Sequence, residues 1–499
     1  MHASPKQAIL ASSCVIFSLI GPFIFWLSNY ESQSTLKASK LPVSTMLKAT
    51  NSSPADQSQA STWNFPNFSL PGWLNFNKDT SLNQRMSLGE KVLVTVDDSP
   101  EKELGVEKFK AGQFEEAIAQ FDASLKKNRN DPESWIYLNN ALASTNGNFA
   151  KIVISVPIGG NLNVAKEILR GVAQYQHEVN HGKYLQGKLL KVAIANDDNN
   201  SEIAKKLAIE FSKDSSILAV VGHNSSDVSV AVAPIYQKAG LVMISPTSVS
   251  RNLSGIGSYI FRTVPSSRKI ADTLGKYVVK SARKTNIALC TDSKAQASIS
   301  FKEDFTEAIY AEDGKITRTA CDFSAPDFNP SEIITKAIGD GANGLLLSPS
   351  VEKINQAIEI IRSNKGRLTL FGNHSMYSFD ILQQGQTEAN GLVLSVFWHS
   401  SESSNSAYST AAQKLWGGAG SWRTAMAYDA TKAIALGLKA GFRRDQLQRT
   451  LSSSSFTMNG ATGSVRFLPS GDRQGSGLLV KVLPGKNSGT GYDFVGIKP

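Results

Sequence analysis

Three cysteines in 499 residues are too few for a disulfide framework or a cysteine-based zinc module. Concentrated charge is missing too. The chain carries a formal +10, but its basic residues are scattered, and the nearest cluster, Lys126, Lys127 and Arg129, reads as a solvated face. No basic stripe interleaved with aromatics is present, which excludes a nucleic-acid partner. GxSxG elbows, P-loops and GxGxxG fingerprints are all absent, so acyl transfer and nucleotide chemistry have no visible carrier. Gly417-Gly418-Ala419-Gly420 has no strand to introduce it and reads as a loop. What remains is an ordinary globular composition, 41% hydrophobic and 19% charged, in a chain long enough for two or three domains.

Residues 1–30 contain an uncharged run, Ala8 to Leu27, as long as a membrane-spanning helix. Lys6 precedes it and Glu31 follows it, so the charge bias places the bulk of the chain outside the cytoplasm. The run exceeds a signal peptide's apolar core. Ala11-Ser12-Ser13-Cys14 matches a lipoprotein cleavage box only faintly, and we read an uncleaved single-pass anchor in a cell inner membrane. Residues 31–100 are rich in Ser, Asn, Thr and Pro and read as a linker, interrupted by an aromatic cluster at Trp63, Phe65, Phe68, Trp73 and Phe76. Residues 101–147 turn helical. Leu104-Gly105, Gly112, Phe114, Ala117, Phe121 and Leu125 fall where a tetratricopeptide repeat places its packing residues, and Leu138 restarts the pattern after one 34-residue period. One and a half repeats cannot bury their own faces. They must lean on the next domain, a second copy or a partner protein.

From Lys151 strands and helices alternate almost to the C-terminus. Ile152–Val156, Leu189–Ala195, Ile217–Val221 and Val242–Ile244 are expected strands of a first lobe. Ile287–Cys290, Ile316–Cys321, Gly344–Leu347 and Leu368–Phe371 are expected strands of a second. Phe261 to Pro265 leads across and Gly391 to Val396 leads back, with a helix over Trp422–Leu438. Cys290 and Cys321 each close a predicted strand. A bridge is open to them outside the cytoplasm, and two buried free thiols is the reading adopted.

GHNSSDVSVAVAPIYQKAGLVMISPTS, WRTAMAYDA and GATGSVRFLPSGDRQG resemble, in order, segments of type 1 periplasmic solute-binding proteins of the leucine/isoleucine/valine-binding group. The resemblance implies an α/β, two-lobed periplasmic binding protein fold over 148–499, with Rossmann-like lobes joined by three crossovers. Lobe 1 would be about 151–264 and 398–450, lobe 2 about 266–394. It also implies capture of a small polar, amino-acid-like or carboxylate-bearing solute for an ABC permease, without catalysis, metal or cofactor. Helical repeats before such a fold also resemble lipoprotein activators of cell-wall synthases. That keeps open a membrane-anchored scaffold or sensor that meets a protein partner through the helices.

The resemblance places ligand contacts at Ser225, Ser226, Thr247, Ser248, Asp292, Gln296 and His374. The turn before Asp227 suits an anion, because helix-start amides point at it; the plainer role for Ser226 or Asp227 is an N-cap. Departures from the family pattern are specific. Val249 stands for a common Thr, Gln296-Ala297 for Tyr-Gly, and Asn373-His374-Ser375 for the acid that would meet a ligand ammonium. His177-Glu178-Val179-Asn180-His181 spells H-E-x-x-H, but Gly182 ends the helix at once, and chance surface histidines are the preferred reading.

Overall fold

The computed structural model describes residues 80–498 apart from 183–184, 403–404 and 419. The expected anchor, the aromatic cluster and most of the expected linker lie outside the described residues. The end of that linker is ordered: α1 (Thr80–Asn83) leads into β1 (Met86–Ser87), and Val94 is fully buried. Three helices follow. For α2 (Pro100–Lys110), Ser99 accepts from the Lys102 amide and Pro100 takes the first turn. Next, α3 (Phe114–Lys127) buries Ala117, Phe121 and Leu125 along one face. Asp131 caps α4 (Pro132–Asn146), which stops at left-handed Gly147. Gly105 lets α2 and α3 close up, since a β-carbon there would sit 2.7 Å from the Phe121 ring.

The helices lean on the next domain, and their core is continuous with it. Asn140 of α4 donates to Leu88 O and Val192 O and accepts from the Val192 amide and Gln176, tying helix, preceding loop and sheet edge together. Trp135 packs edge-on against His177 and Trp416.

Lobe 1 alternates β2 (Phe149–Val156), α5 (Leu162–Gly182), β3 (Leu189–Asn196), α6 (Ser201–Lys213), β4 (Ile217–Val221), α7 (Ser226–Ala239), β5 (Val242–Ser245) and β6 (Ile260–Arg262). Its sheet runs β1-β3-β2-β4-β5-β6, parallel except for β1, which pairs antiparallel with β3 and covers that edge. The chain then crosses to lobe 2: α8 (Ser267–Lys276), β7 (Asn286–Thr291), α9 (Gln296–Ala311), β8 (Lys315–Ile316), α10 (Pro330–Gly339), β9 (Gly344–Ser348), α11 (Ile354–Asn364), β10 (Thr369–Gly372), α12 (Phe379–Ala389) and β11 (Val393–Val396). It returns through α13 (Ser406–Trp416), α14 (Trp422–Leu438), α15 (Arg444–Ser452) and the hairpin β12 (Met458–Gly460) and β13 (Gly463–Val465). A last crossing adds β14 (Leu478–Pro484) and β15 (Tyr492–Ile497) to the second sheet, ordered β15-β14-β11-β10-β9-β7-β8. Three connections therefore join the lobes. The return helix α14 is buried almost all round against α5, where a β-carbon on Gly171 would meet Thr424 O at 2.1 Å.

Two expectations are corrected here. The strand expected over Ile316–Cys321 shrinks to Lys315–Ile316, because the chain leaves the sheet edge after Thr317, whose amide still donates to Ile287 O, and rejoins β7 through a bridge between Thr291 and Asp322. At that return Cys321 comes within 4.6 Å (Cα to Cα) of Cys290, and the two form a disulfide rather than buried free thiols. No helix among the described residues is long and apolar enough to cross a membrane.

Candidate functional site

Between the lobes lies a cavity of about 470 Å³, at the carboxyl ends of the parallel strands. Short turns leave those strands for helices, so helix N-termini and small polar residues collect there. On the lobe 1 side, Ser225 is the N-cap of α7, its hydroxyl accepting from the Val228 amide. Ser226 accepts from the Val249 and Ser250 amides, which pins the turn after β5 and leaves its own hydroxyl hydrogen to donate. The Thr247 hydroxyl donates to Asn224 O. Ser225, Ser226 and Thr247 line the cavity. Ser248 does not: it is buried behind the wall, bonded to Ser229 and to His223 O. Val249 is fully buried in the apolar core.

Behind this wall is a relay the sequence reading missed. Ser155 donates to Asp197, whose carboxylate meets His223 Nδ1 at 2.6 Å, and His223 Nε2 meets the Tyr236 hydroxyl at 2.9 Å. All four residues are fully buried, so the relay fixes the ends of β2, β3 and β4 and does not face a guest. No local spacing announces it, because its members are brought together only by sheet order.

Of the candidates read from sequence in lobe 2, Asp292 and His374 line the cavity. Asp292 accepts from Ser324 at 2.7 Å and from the Lys294 amide. Gln296 is absent from the wall; its side chain reaches Asn252 at the rim, and its amide donates to the Asp227 carboxylate. Asp227 thus sits at the start of α9 from the opposite lobe. Burial raises its pKa, the Gln296 amide opposes that, and Glu352 and Asp292 add to it. Asn199 donates to Glu352, a further bond between the lobes.

The wall completing the site comes from α14 and the turn after β10. Trp422 is 1% exposed, Arg423 2% and His374 4%. Burial and the Arg423 charge push His374 down to about 3, so its imidazole is neutral at physiological pH. Neither His374 Nδ1 nor Trp422 Nε1 has a hydrogen-bond partner. Arg423 donates to Glu167 and to Tyr377 O through the same nitrogen. Asn373, where an acid is expected by resemblance, is turned inward to Ser348 and Pro349 O. Trp422 and Arg423 were legible only as part of a helix.

The H-E-x-x-H run occupies the last turns of α5, away from this cavity. His177 is half-buried beneath Trp135 rather than a surface residue, and burial followed by the His181 charge lowers it to about 4. Glu178 accepts from the Tyr428 hydroxyl at 2.6 Å. Among the described residues no cluster of His, Cys, Asp and Glu suits a metal.

A family model described as periplasmic binding protein matches residues 150–480. An amino acid binding protein of Pseudomonas aeruginosa is 25% identical over 147 residues, 29% of this chain and 39% of its own length. The chain therefore spans less than half of that curated relative. Among solved structures, a leucine binding protein of Thermotoga maritima superposes with a TM-score of 0.62 at 17% identity, over 70% of this chain and 99% of its own. A solute binding protein of an ABC transporter from R. palustris, in complex with 4-hydroxybenzoate, gives 0.62 at 17%, over 70% and 96%. At those identities the two structures establish the fold.

Proposed function

The chain belongs to the periplasmic binding protein family, and we propose that it is the extracytoplasmic solute-binding component of an ABC-type uptake system. Its fold is that of solute-binding proteins and not of enzymes. The observation that carries the reading is the inter-lobe cavity, walled from both lobes at the carboxyl ends of the parallel strands. Ser225, Ser226, Thr247, Asp292 and His374 would touch a small polar solute, with Ser248 and Gln296 bracing the wall. The Cys290–Cys321 disulfide supports an oxidising compartment. An anchor at residues 8–27 would hold the protein at the inner membrane.

The helices over 100–146 fit a tetratricopeptide-like pair plus one helix, with Gly105 and Phe121 in the close-packing roles. Their Trp135 face is covered by the chain's own α5 and α13, which weakens the alternative of a scaffold recruiting a partner there. Calorimetry of the full chain against amino acids, amides, short peptides and benzoates tests the proposal. Saturable heat with one class, lost in Ser226→Ala, is the expected result. Silence across the panel would sink it.

A further inference from the structure

The H-E-x-x-H run at the end of α5 has no part in the cleft, and its two imidazoles form a pair of their own. Residues four apart share a helix face, and the rings of His177 and His181 lie 4.0 Å apart, centre to centre, tilted by 45°. His181 Nδ1 is 2.9 Å from His177 O. A carbonyl only accepts, so Nδ1 carries the proton, and Nε2 of the exposed His181 keeps its lone pair. His177 Nδ1 is buried with no hydrogen-bond partner, which leaves Nε2 as the nitrogen open to a ligand. Burial, then His181, then Lys414 lower His177 to about 4, so at physiological pH it is the neutral imidazole that metals bind. Both rings stand in the last turns of a 21-residue helix, where the dipole favours positive charge.

We propose that His177 and His181 chelate one divalent ion of the late first transition row, Cu(II) in preference to Ni(II) or Zn(II), each through Nε2. Imidazole nitrogen suits these ions, at about 2.0–2.1 Å for zinc, and copper heads the affinity series. Rings this close can occupy adjacent coordination positions of one ion. No group of three His, Cys, Asp or Glu side chains gathers there among the described residues, so water fills the remaining positions and the ion is exchangeable. The glutamate of the run takes no part. Glu178 accepts from Gln174 and from the Tyr428 hydroxyl of α14, so the pair is not a peptidase centre. Lys414 of α13 is the opposing charge and holds the affinity below that of an isolated pair. Trp135 of α4, edge-on to His177 at 4.9 Å, stands beside the site, so the ion sits where the helical segment meets lobe 1.

The test is titration of the full-length protein with CuCl2, NiCl2, ZnCl2 and CaCl2, in a His2→Gln background that removes the histidine beside the amino terminus. Saturable heat is expected with copper tightest and none with calcium, which takes oxygen ligands. Paramagnetic copper should also quench tryptophan fluorescence, and Trp135→Phe should reduce that quench while leaving the heat. His181→Gln and His177→Gln should each weaken copper about tenfold or more, the loss of one of two ligands. Lys414→Gln should tighten it. Copper should raise the melting temperature of the parent but not of His181→Gln, and the same melts establish that the variants are folded. No copper heat, heat unchanged in His181→Gln, or calcium binding as tightly as copper overturns the chelate. Loss in His181→Gln with His177→Gln unchanged would reduce the site to a single adventitious imidazole and overturn it as well.

Discussion

Two buried polar clusters in this chain are built on opposite plans. In the helical segment, the Lys102 ammonium meets Glu133 at 2.7 Å, Asp131 at 3.0 Å and Val94 O at 3.3 Å. Glu133 also accepts from the Leu93 and Val94 amides and the Tyr137 hydroxyl, while Asp131 takes the first amides of α4. Every charge there closes on another group of the chain. In the cleft the bonding is different: among the described residues Asp227, Asp292 and Glu352 form no salt bridge and are held by the Gln296 amide, by Ser324 and the Lys294 amide, and by Asn199. The same sequence that completes one cluster leaves the other open. The closed cluster is a fastener, whereas the carboxylates of the cleft, held by neutral donors, keep capacity to meet a guest.

The closed cluster should fail hardest when broken. Lys102→Met leaves two carboxylates buried without their cation, and the expected loss is about 3–5 kcal/mol in a urea titration. A loss under about 1 kcal/mol would show that water reaches the cluster. Next in size is the staple beside the open cluster. Cys290 and Cys321 are 31 residues apart, a loop whose closure constrains the unfolded chain by about 3–4 kcal/mol. Reduction should lower the melting temperature accordingly. It should also weaken solute binding, because Ser324, three residues beyond Cys321, holds Asp292 at the cavity wall. Unchanged affinity in the reduced protein would separate the staple from the site.

Acid should reach the open cluster through His374. Its folded pKa is about 3 against an ordinary 6.5, so protonation favours the unfolded chain. Its stability contribution is fully present above about 6.5 and is lost progressively as pH falls towards about 3. The slope approaches about 1.4 kcal/mol per pH unit for this one group. His374→Gln should flatten melting temperature against pH across that window. An unchanged profile would assign the acid sensitivity elsewhere, half-buried His177 being the next candidate with a pKa of about 4.

The fold was legible because long apolar runs buried on all sides are insensitive to their partners: the strand Ile217–Val221 and the helix Trp422–Leu438 fall where their patterns predict. Edges were less legible. Ile316–Cys321 has strand composition, but with a single neighbour and a disulfide at its end it peels away. The N-terminal linker was drawn too long because β1 is two residues, below any periodic signal. At the site, Ser226, Thr247 and Asp292 follow strand ends and could be read from local order. Trp422, Arg423, Glu352 and the role of Asp227 could not, since they meet only when the lobes close. Ser248 was misplaced because one residue decides whether a turn hydroxyl faces the cavity or the core.

The smallest contrast is the most direct test of the two plans. Tyr137→Phe deletes one oxygen from the closed cluster, and that oxygen bonds Glu133 at 2.8 Å and Lys91 O at 2.7 Å. Both acceptors keep other partners, Glu133 in Lys102 and the Leu93 and Val94 amides and Lys91 O in the Ser87 hydroxyl, so the cost is that of the lost charge-assisted bond, about 1–3 kcal/mol. Trp422→Phe deletes more atoms, but the nitrogen it removes has no partner to strand. Relief of that buried donor offsets part of the void left by the smaller ring, and the ligand-free protein should change by less than about 1 kcal/mol. Matched urea titrations of the two variants decide the matter. A Trp422→Phe loss as large as that of Tyr137→Phe would mean the indole nitrogen is already paired in solution, and the cleft would be no more open than the fastener.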